Sequence, residues 1–185
     1  MDEQELARPG VFADGPLTEQ VFLDIATPPR VELFDDTLFV SPAPNLRHQR
    51  LSTRLCALLD GAAAHSGLEV HHSVNLRLRP GLITITDIVV TNDLDRDGLV
   101  IDARAVHLVC EITSPHTATI DGVLKMHHYA VAGIPWYLTI DEEGNVLRLH
   151  RLTEGSYSIA ESGKVVNLVE PIVVTIDAAE LLRRR

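Results

Sequence analysis

The chain has 185 residues, of which 45% are hydrophobic, and its formal net charge at pH 7 is -10. This length suits one domain with its own core. The negative net charge argues against an avid nucleic-acid binder, so contact with DNA would need a local basic patch or bound cations. The sequence lacks the ~18-residue uncharged apolar stretch of a membrane-spanning helix, and we expect a soluble, cytoplasmic protein with no membrane contact.

The N-terminal part predicts an extension followed by a hairpin. Residues 1–30 contain one short helical segment, 17–25, that ends before two prolines. The apolar runs 31–34 and 38–40 flank the turn segment Asp35-Asp36-Thr37, a pattern typical of a β-hairpin.

A long helix is predicted next, from Leu46 to about His65, with Asn45 as its N-cap and Gly67 as its stop. Apolar residues at helical spacing form its inner face. These are Leu51, Leu55, Leu58, Leu59 and Ala62.

Three strands follow the long helix. Residues 68–79 alternate apolar with polar, and residues 82–91 are rich in β-branched side chains, with Pro80-Gly81 as the turn between them. A polar loop over 92–98 leads to a third strand at about 106–113.

A second helix is predicted to begin near Pro115 to Thr117 and to end at Gly133, followed by a strand over 135–140. The remaining residues, 142–185, predict hairpin strands and a short last helix. The expected fold is therefore α/β: a core of helix, three-strand meander, helix and strand, with an N-terminal hairpin and a C-terminal β-hairpin extension. We expect a single domain over 1–185, with its core at 31–141.

Two carboxylates stand inside apolar strand runs. Asp87 lies in ITITDIVV and Glu111 in LVCEIT, where an unpaired ionised group would be strongly unfavourable. If the strands are neighbours, both could bind one hard cation such as magnesium. Ion pairs with arginines are the alternative explanation, and the candidates are Arg77, Arg79 and Arg104.

The surrounding residues resemble a known family. The chain resembles the Uma2-like (DUF820) family of restriction-endonuclease-like proteins. The likeness is carried by TDIVVT, then VCEITSPHT, then Asp121, Lys125, Tyr129 and AGIPWYLTID. The likeness spans Val31 to Asp141 and includes the hairpin VELFDDTLFVSPAP and the run RHQRL in the expected order. It implies the restriction-endonuclease-like core of the PD-(D/E)xK nuclease superfamily, whose element order is the one predicted above.

The resemblance also implies the site residues. Asp87 corresponds to the first metal-binding acid and Glu111 to the second. Thr86 stands where the nuclease pattern has proline, and Thr113 stands where the lysine of the E-x-K element is expected. Lys125, fourteen residues after Glu111, corresponds to the lysine that Uma2-like sequences supply from the following helix.

Two further residues rank below these three. Glu32 matches a family position and would supply another metal ligand or a supporting hydrogen bond, and His48 is the histidine best placed to reach the site. For Lys125 an alternative stays open: an exposed helix lysine paired with Asp121 at i, i+4.

Other chemistries have less support. The sequence has nine histidines but no zinc motif such as HExxH, and it has no G-x-S-x-G element of a serine hydrolase. Trp136 and Tyr137 could stack on a base, although we expect them in the core.

The leading hypothesis is a Mg²⁺- or Mn²⁺-dependent DNA endonuclease with Asp87, Glu111 and Lys125 as catalytic residues, the first two as metal ligands. The alternative is a binding or regulatory module that keeps the nuclease fold without efficient catalysis. Either could form a homodimer.

Overall fold

The computed structural model describes residues 18–24, 30–35, 37–40, 43–92, 95, 97–113, 121–141 and 146–183. Within these ranges the chain forms a nine-stranded mixed sheet, a two-stranded sheet and four α-helices. No helix in the same ranges is long and apolar enough to cross a membrane. The predicted α/β class is confirmed, with the predicted core order of helix, three-strand meander, helix and strand.

The N-terminal elements agree with the sequence pattern. Helix α1 covers Glu19–Asp24, and the strands β1 (Val31–Phe34) and β2 (Thr37–Val40) pair antiparallel as the predicted hairpin. Asp35 opens the turn with a φ of 42°, a conformation that aspartate tolerates better than most residues.

Helix α2 covers Leu46–Ala63, and its ends match the predicted caps. The Asn45 side chain accepts a hydrogen bond of 2.9 Å from the His48 main-chain N–H, and Gly67 beyond the helix has a φ of 73°. The inner face packs against the sheet, although Leu58 and Ala62 are only partly buried. Its buried apolar residues are Leu51, Leu55, Leu59 and Ala63.

The three-strand meander is present as predicted. Strands β3 (Glu69–Arg79) and β4 (Leu82–Thr91) pair antiparallel around Gly81, and β4 pairs antiparallel with β6 (Val106–Thr113). One element was not predicted: a short strand, β5 (Val100–Asp102), pairs parallel with β3 and is followed by a 3₁₀ turn. Three residues are too few to show a periodicity in the sequence.

A helical crossover leads to the next strand. Helix α3 covers Asp121–Val131, and β7 (Trp136–Asp141) lies parallel to β6. The predicted helix start at 115–117 lies outside the described residues. Trp136 and Tyr137 are buried, so the core assignment of these aromatics is confirmed.

The C-terminal hairpins extend the same sheet and cover α2. Strands β8 (Leu147–Thr153) and β9 (Ser156–Gly163) continue the sheet beyond β7. Strand β9 runs to Gly163, and the chain bends at Lys164. The last elements are β10 (Val165–Leu168), β11 (Val174–Asp177) and helix α4 (Ala178–Leu182).

The edge of β4 that faces away from β3 is interrupted. Strand β3 runs along nearly the whole length of β4, so β1 and β6 must share the other edge. Strand β1 pairs there with Leu82 and Ile83, whereas β6 pairs with residues from Ile88 onward. Residues 84–87 of β4 therefore lie between two diverging strands, in a gap that we call the β4 gap.

Candidate active site

Side chains fill the β4 gap in place of a strand. The Ile85 N–H donates to Glu32 Oε1 at 2.9 Å, and the Ile85 carbonyl accepts a hydrogen bond from Lys125 Nζ at 2.8 Å. Both main-chain groups are buried, and a buried main-chain group without a partner is costly. Glu32 and Lys125 thus replace the missing β-ladder at this position.

Asp87 closes the other end of the gap. Its Oδ2 accepts a hydrogen bond of 2.9 Å from the Ile112 main-chain N–H and lies 3.1 Å from His48 Nε2. Its Oδ1 lies 3.7 Å from Arg30 Nη2. The Asp87 carboxylate therefore links the β4 gap to β6 and to the first turn of α2.

Glu111 is the neighbour of Asp87 on the adjacent strand. Ile88 pairs with Cys110 at the end of this antiparallel register, and Asp87 and Glu111 are the next residues of β4 and β6 beyond that pair. The negative charge of Asp87 accordingly contributes to raising the pKa of Glu111. The sheet thus brings two carboxylates from β4 and β6 to one place.

Helix α3 supplies the groups that contact Glu111. Tyr129 donates a hydrogen bond of 2.5 Å to Glu111 Oε1, and Lys125 Nζ lies 3.5 Å from the same oxygen. Lys125 Nζ also lies 3.1 Å from Glu32 Oε1, so one ammonium is shared by two carboxylates. The Lys125 side chain is only 17% exposed, which excludes the solvated helix lysine of the sequence analysis.

Burial and the excess of negative charge determine the proton affinities of the site. Burial raises the pKa of Glu111 to about 7, and the charges of Asp87 and Glu32 add to this, although Lys125 and Tyr129 oppose it. Burial alone would lower the pKa of Lys125, but Glu111 and Glu32 raise it to about 12. The ammonium is therefore protonated throughout the physiological range.

The pKa of Asp87 is shifted in the opposite direction from that of Glu111. Burial would raise it, but the hydrogen bond and charge of His48, the Ile112 N–H and the charge of Lys125 together lower it below the usual value. Asp87 is therefore ionised near neutral pH, whereas Glu111 is close to half protonation. Two neighbouring carboxylates whose pKa values are separated in this way are typical of functional sites.

The five residues that the sequence analysis selected lie together. The contacts described above join Asp87, Glu111, Lys125, Glu32 and His48. The arginines proposed as alternative partners of the two strand acids are engaged elsewhere. Arg77 contacts Glu19 at 2.6 Å, Arg79 contacts Asp35 at 2.7 Å, and Arg104 contacts Asp102 at 3.1 Å.

Two residues of the site were missed as functional candidates. Tyr129 belongs to the motif that carries the family resemblance, and its i+4 spacing from Lys125 places both on one side of α3. Arg30 stands two residues before Glu32, and the alternation of an extended chain would have put both side chains on one face. Both spacings are visible in the sequence, but neither distinguishes a functional residue from a residue of the hydrophobic core.

Carboxylate oxygens are the ligands that a hard divalent cation such as Mg²⁺ prefers, and Mg²⁺ is often bound through one or two carboxylates plus water. Asp87 and Glu111 are two such carboxylates, although among the described residues no three His, Cys, Asp or Glu side chains are grouped as a metal site. The shortest contacts use one oxygen of each acid, Oδ2 of Asp87 and Oε1 of Glu111. Burial and the neighbouring acids raise the pKa of Glu111, and a bound cation would favour its ionised form.

Comparisons with known proteins find a matching family and a similar fold. The family model Uma2, described as "Putative restriction endonuclease", matches residues 19–179. The chain is also similar to a crystal structure described as "a putative nuclease belonging to DUF820", from Anabaena variabilis ATCC 29413. The TM-score is 0.71 at 15% sequence identity, over 90% of this chain and 98% of the other. No curated protein matches the sequence.

Proposed function

The chain belongs to the Uma2 family of restriction-endonuclease-like proteins, and we propose that it is a divalent-cation-dependent nuclease that hydrolyses phosphodiester bonds of DNA. One observation carries the proposal: Glu111, a buried strand carboxylate beside Asp87, has its Oε1 3.5 Å from the Lys125 ammonium and a pKa raised to about 7. Burial is the main cause of that shift, and a cation bound by the two acids would favour the ionised form of Glu111.

Asp87 and Glu111 would hold the cation, Mg²⁺ or Mn²⁺. When bound, the cation would polarise a phosphate oxygen and lower the pKa of a water molecule. Asp87 is prepared for this role because His48 and the Ile112 N–H fix one of its oxygens. An acid that is held by hydrogen bonds and ionised at neutral pH loses little orientational freedom on binding a cation.

Lys125 would stabilise negative charge that develops on the phosphate. Its ammonium is held by the Ile85 carbonyl at 2.8 Å and by Glu32 at 3.1 Å, so its position is set before substrate arrives. A preorganised charge in a site that largely excludes water is worth more than the same charge in bulk solvent. In this arrangement Glu32 positions Lys125, which we prefer to a direct role in cation binding.

DNA is the proposed substrate despite the net charge of -10. Arg47 and Arg50 are exposed in the first turns of α2, beside His48, which reaches Asp87. These two residues supply exposed positive charge on the helix that carries His48, and bound cations would add to it. Binding should therefore depend steeply on salt concentration, as expected when phosphates are the main contacts.

A binding module without catalysis is the second candidate, and Lys125 supplies the observation that favours it. One ammonium contacts both Glu32 and Glu111 and already neutralises part of their charge. If this ion pair is stable enough, the protein would bind DNA or a partner without needing a cation. DNA binding without cleavage in Mg²⁺ and Mn²⁺ would favour this second function.

Degradation of purified DNA tests the proposal. Supercoiled plasmid, linear duplex and branched DNA are incubated at low salt with Mg²⁺, Mn²⁺ or EDTA, and with the variants Glu111→Ala and Glu180→Ala. Glu180 is an exposed acid of α4 and serves as the matched control. We expect cation-dependent cleavage that Glu111→Ala abolishes and Glu180→Ala retains; equal cleavage by both variants would indicate a contaminant.

The products also report on assembly. Cutting both strands at one position commonly uses two sites, and a homodimer would supply them. We propose that linear product accumulates without long-lived nicked circles if the active species is a dimer. Sedimentation of the same sample measures its mass, and nicked circles from a monomer would contradict this part of the proposal.

A further inference from the structure

We propose that Arg30 is a substrate-binding residue that contacts a backbone phosphate of DNA at the mouth of the site. The inference rests on the proposed function and adds a ligand group for one residue that neither the sequence pattern nor the comparisons single out. It follows from the loose contact of Arg30 with Asp87, from an unused donor of its guanidinium, and from its exposure.

Arg30 is weakly attached to Asp87. The distance from Arg30 Nη2 to Asp87 Oδ1 is 3.7 Å, whereas a charge-assisted hydrogen bond measures about 2.7–2.9 Å. The closer partners of Asp87 are His48 and the Ile112 N–H, both at its other oxygen. Asp87 would therefore keep its position if Arg30 moved away.

The guanidinium of Arg30 also has an unused donor. Its Nε is buried and meets no hydrogen-bond acceptor in the part of the chain that the structure describes. An Nε–H together with an Nη–H forms a fork that matches two oxygens of a phosphate. Rotation of Arg30 away from Asp87 would turn this edge toward solvent and toward an incoming phosphate.

Exposure distinguishes Arg30 from the other cation of the site. The Arg30 side chain is 26% exposed, compared with 17% for Lys125 and 5% for Asp87. Lys125 is held by three protein oxygens, while Arg30 faces one distant carboxylate oxygen among the described residues. A divalent cation at Asp87 would repel the guanidinium and weaken that contact further, which frees Arg30 for the substrate.

The test separates binding from cleavage by using Ca²⁺, a hard cation that also takes carboxylate oxygens. A short labelled duplex is titrated with wild type, Arg30→Gln, Arg30→Lys and the control Arg104→Gln at several salt concentrations. Arg104 is an exposed arginine that pairs only locally with Asp102. Thermal unfolding with and without Ca²⁺ is measured for every variant.

We expect Arg30→Gln to weaken DNA binding about tenfold and to reduce the slope of log K against log salt by about one. Arg30→Lys should bind with intermediate affinity, Arg104→Gln should bind as wild type does, and the Ca²⁺-induced shift in melting temperature should be retained in all of them. Retention of that shift excludes a role in which Arg30 merely holds Asp87.

Unchanged DNA binding by Arg30→Gln, or loss of its Ca²⁺-induced shift, would overturn the inference. Wild type that binds DNA through Arg30 but never cleaves it in Mg²⁺ or Mn²⁺ would contradict the nuclease proposal alone. Wild type that binds no DNA would overturn both.

Discussion

Lys125 on α3 donates a hydrogen bond of 2.8 Å to the main-chain carbonyl of Ile85, which lies forty positions earlier in the chain. A helix side chain thereby takes the place of the strand that β4 lacks between β1 and β6. This contact explains how a lysine outside the usual E-x-K spacing can reach the carboxylates of Glu32 and Glu111.

Replacement of Lys125 by methionine should separate its catalytic role from cation binding. We expect Lys125→Met to reduce cleavage at least a hundredfold, because the ammonium near the phosphate is lost. Without cation the variant should be destabilised by about 3 kcal/mol, since Glu32 and Glu111 lose a buried partner. Mg²⁺ should still raise its melting temperature, which scanning calorimetry measures.

Lys164, which lies in the bend after β9 and is exposed, provides the matched control. Lys164→Met should leave both cleavage and stability unchanged. Full activity of Lys125→Met would show that its ammonium is only a structural bridge.

The raised pKa of Glu111 predicts a pH-dependent stability. The pKa is about 7 in the folded protein and 4.5 in the unfolded chain, so the folded state binds the proton more tightly. The resulting stabilisation is complete below pH 4.5 and is lost as the pH rises through 7; its size is on the order of 3 kcal/mol.

Glu111→Gln isolates this effect because glutamine cannot ionise. We expect the stability of Glu111→Gln relative to wild type to increase between pH 5 and pH 8, measured by denaturant unfolding without divalent cations. Glu180→Gln should show no such trend. A constant difference between Glu111→Gln and wild type would mean that Glu111 has an ordinary pKa.

Tyr129 should control the geometry of Glu111. Tyr129→Phe removes the hydrogen bond to Glu111 Oε1, a contact that lowers the pKa of Glu111, so the pKa should rise further. We expect Mn²⁺ affinity, measured by titration calorimetry at pH 7, to fall about tenfold because the carboxylate is less well oriented and more often protonated.

Tyr157 offers a matched comparison, since its hydroxyl donates to the Ile134 carbonyl at 2.7 Å and contacts no acid within the described ranges. Tyr157→Phe should lose similar folding stability but keep the Mn²⁺ affinity of wild type. An equal fall in affinity for both variants would reduce Tyr129 to a packing residue.

Asp87 should be required for stabilisation by the cation. Mg²⁺ at a hundred times its Kd should stabilise wild type by about 2.7 kcal/mol, because it binds the folded state alone. Asp87→Asn keeps the side-chain shape but removes the charge, and we expect it to abolish the shift in melting temperature. Asp35→Asn, at the exposed turn of the hairpin, should keep the shift; an equal shift in Asp87→Asn would exclude Asp87 as a ligand.

The sequence by itself determined most of the elements. The 3.6-residue spacing of leucines in α2, the β-branched run of β4 and the glycines after α2 and α3 are local signals, and each was read correctly. The short strand β5 was missed because its pairing with β3 depends on distant residues. Asp87 and Glu111 were recognisable because ionisable groups in apolar strands need a partner.

Only the tertiary structure decided which partners those acids receive. The divergence of β1 and β6 along β4 leaves the Ile85 N–H and carbonyl open, and Glu32 and Lys125 fill both positions. Neither that gap nor the approach of Arg30 to Asp87 follows from spacing along the chain. Such contacts depend on where separate elements meet in the fold. Because burying an unpaired charge is unfavourable, each buried acid lies beside a side chain or main-chain group that compensates its charge.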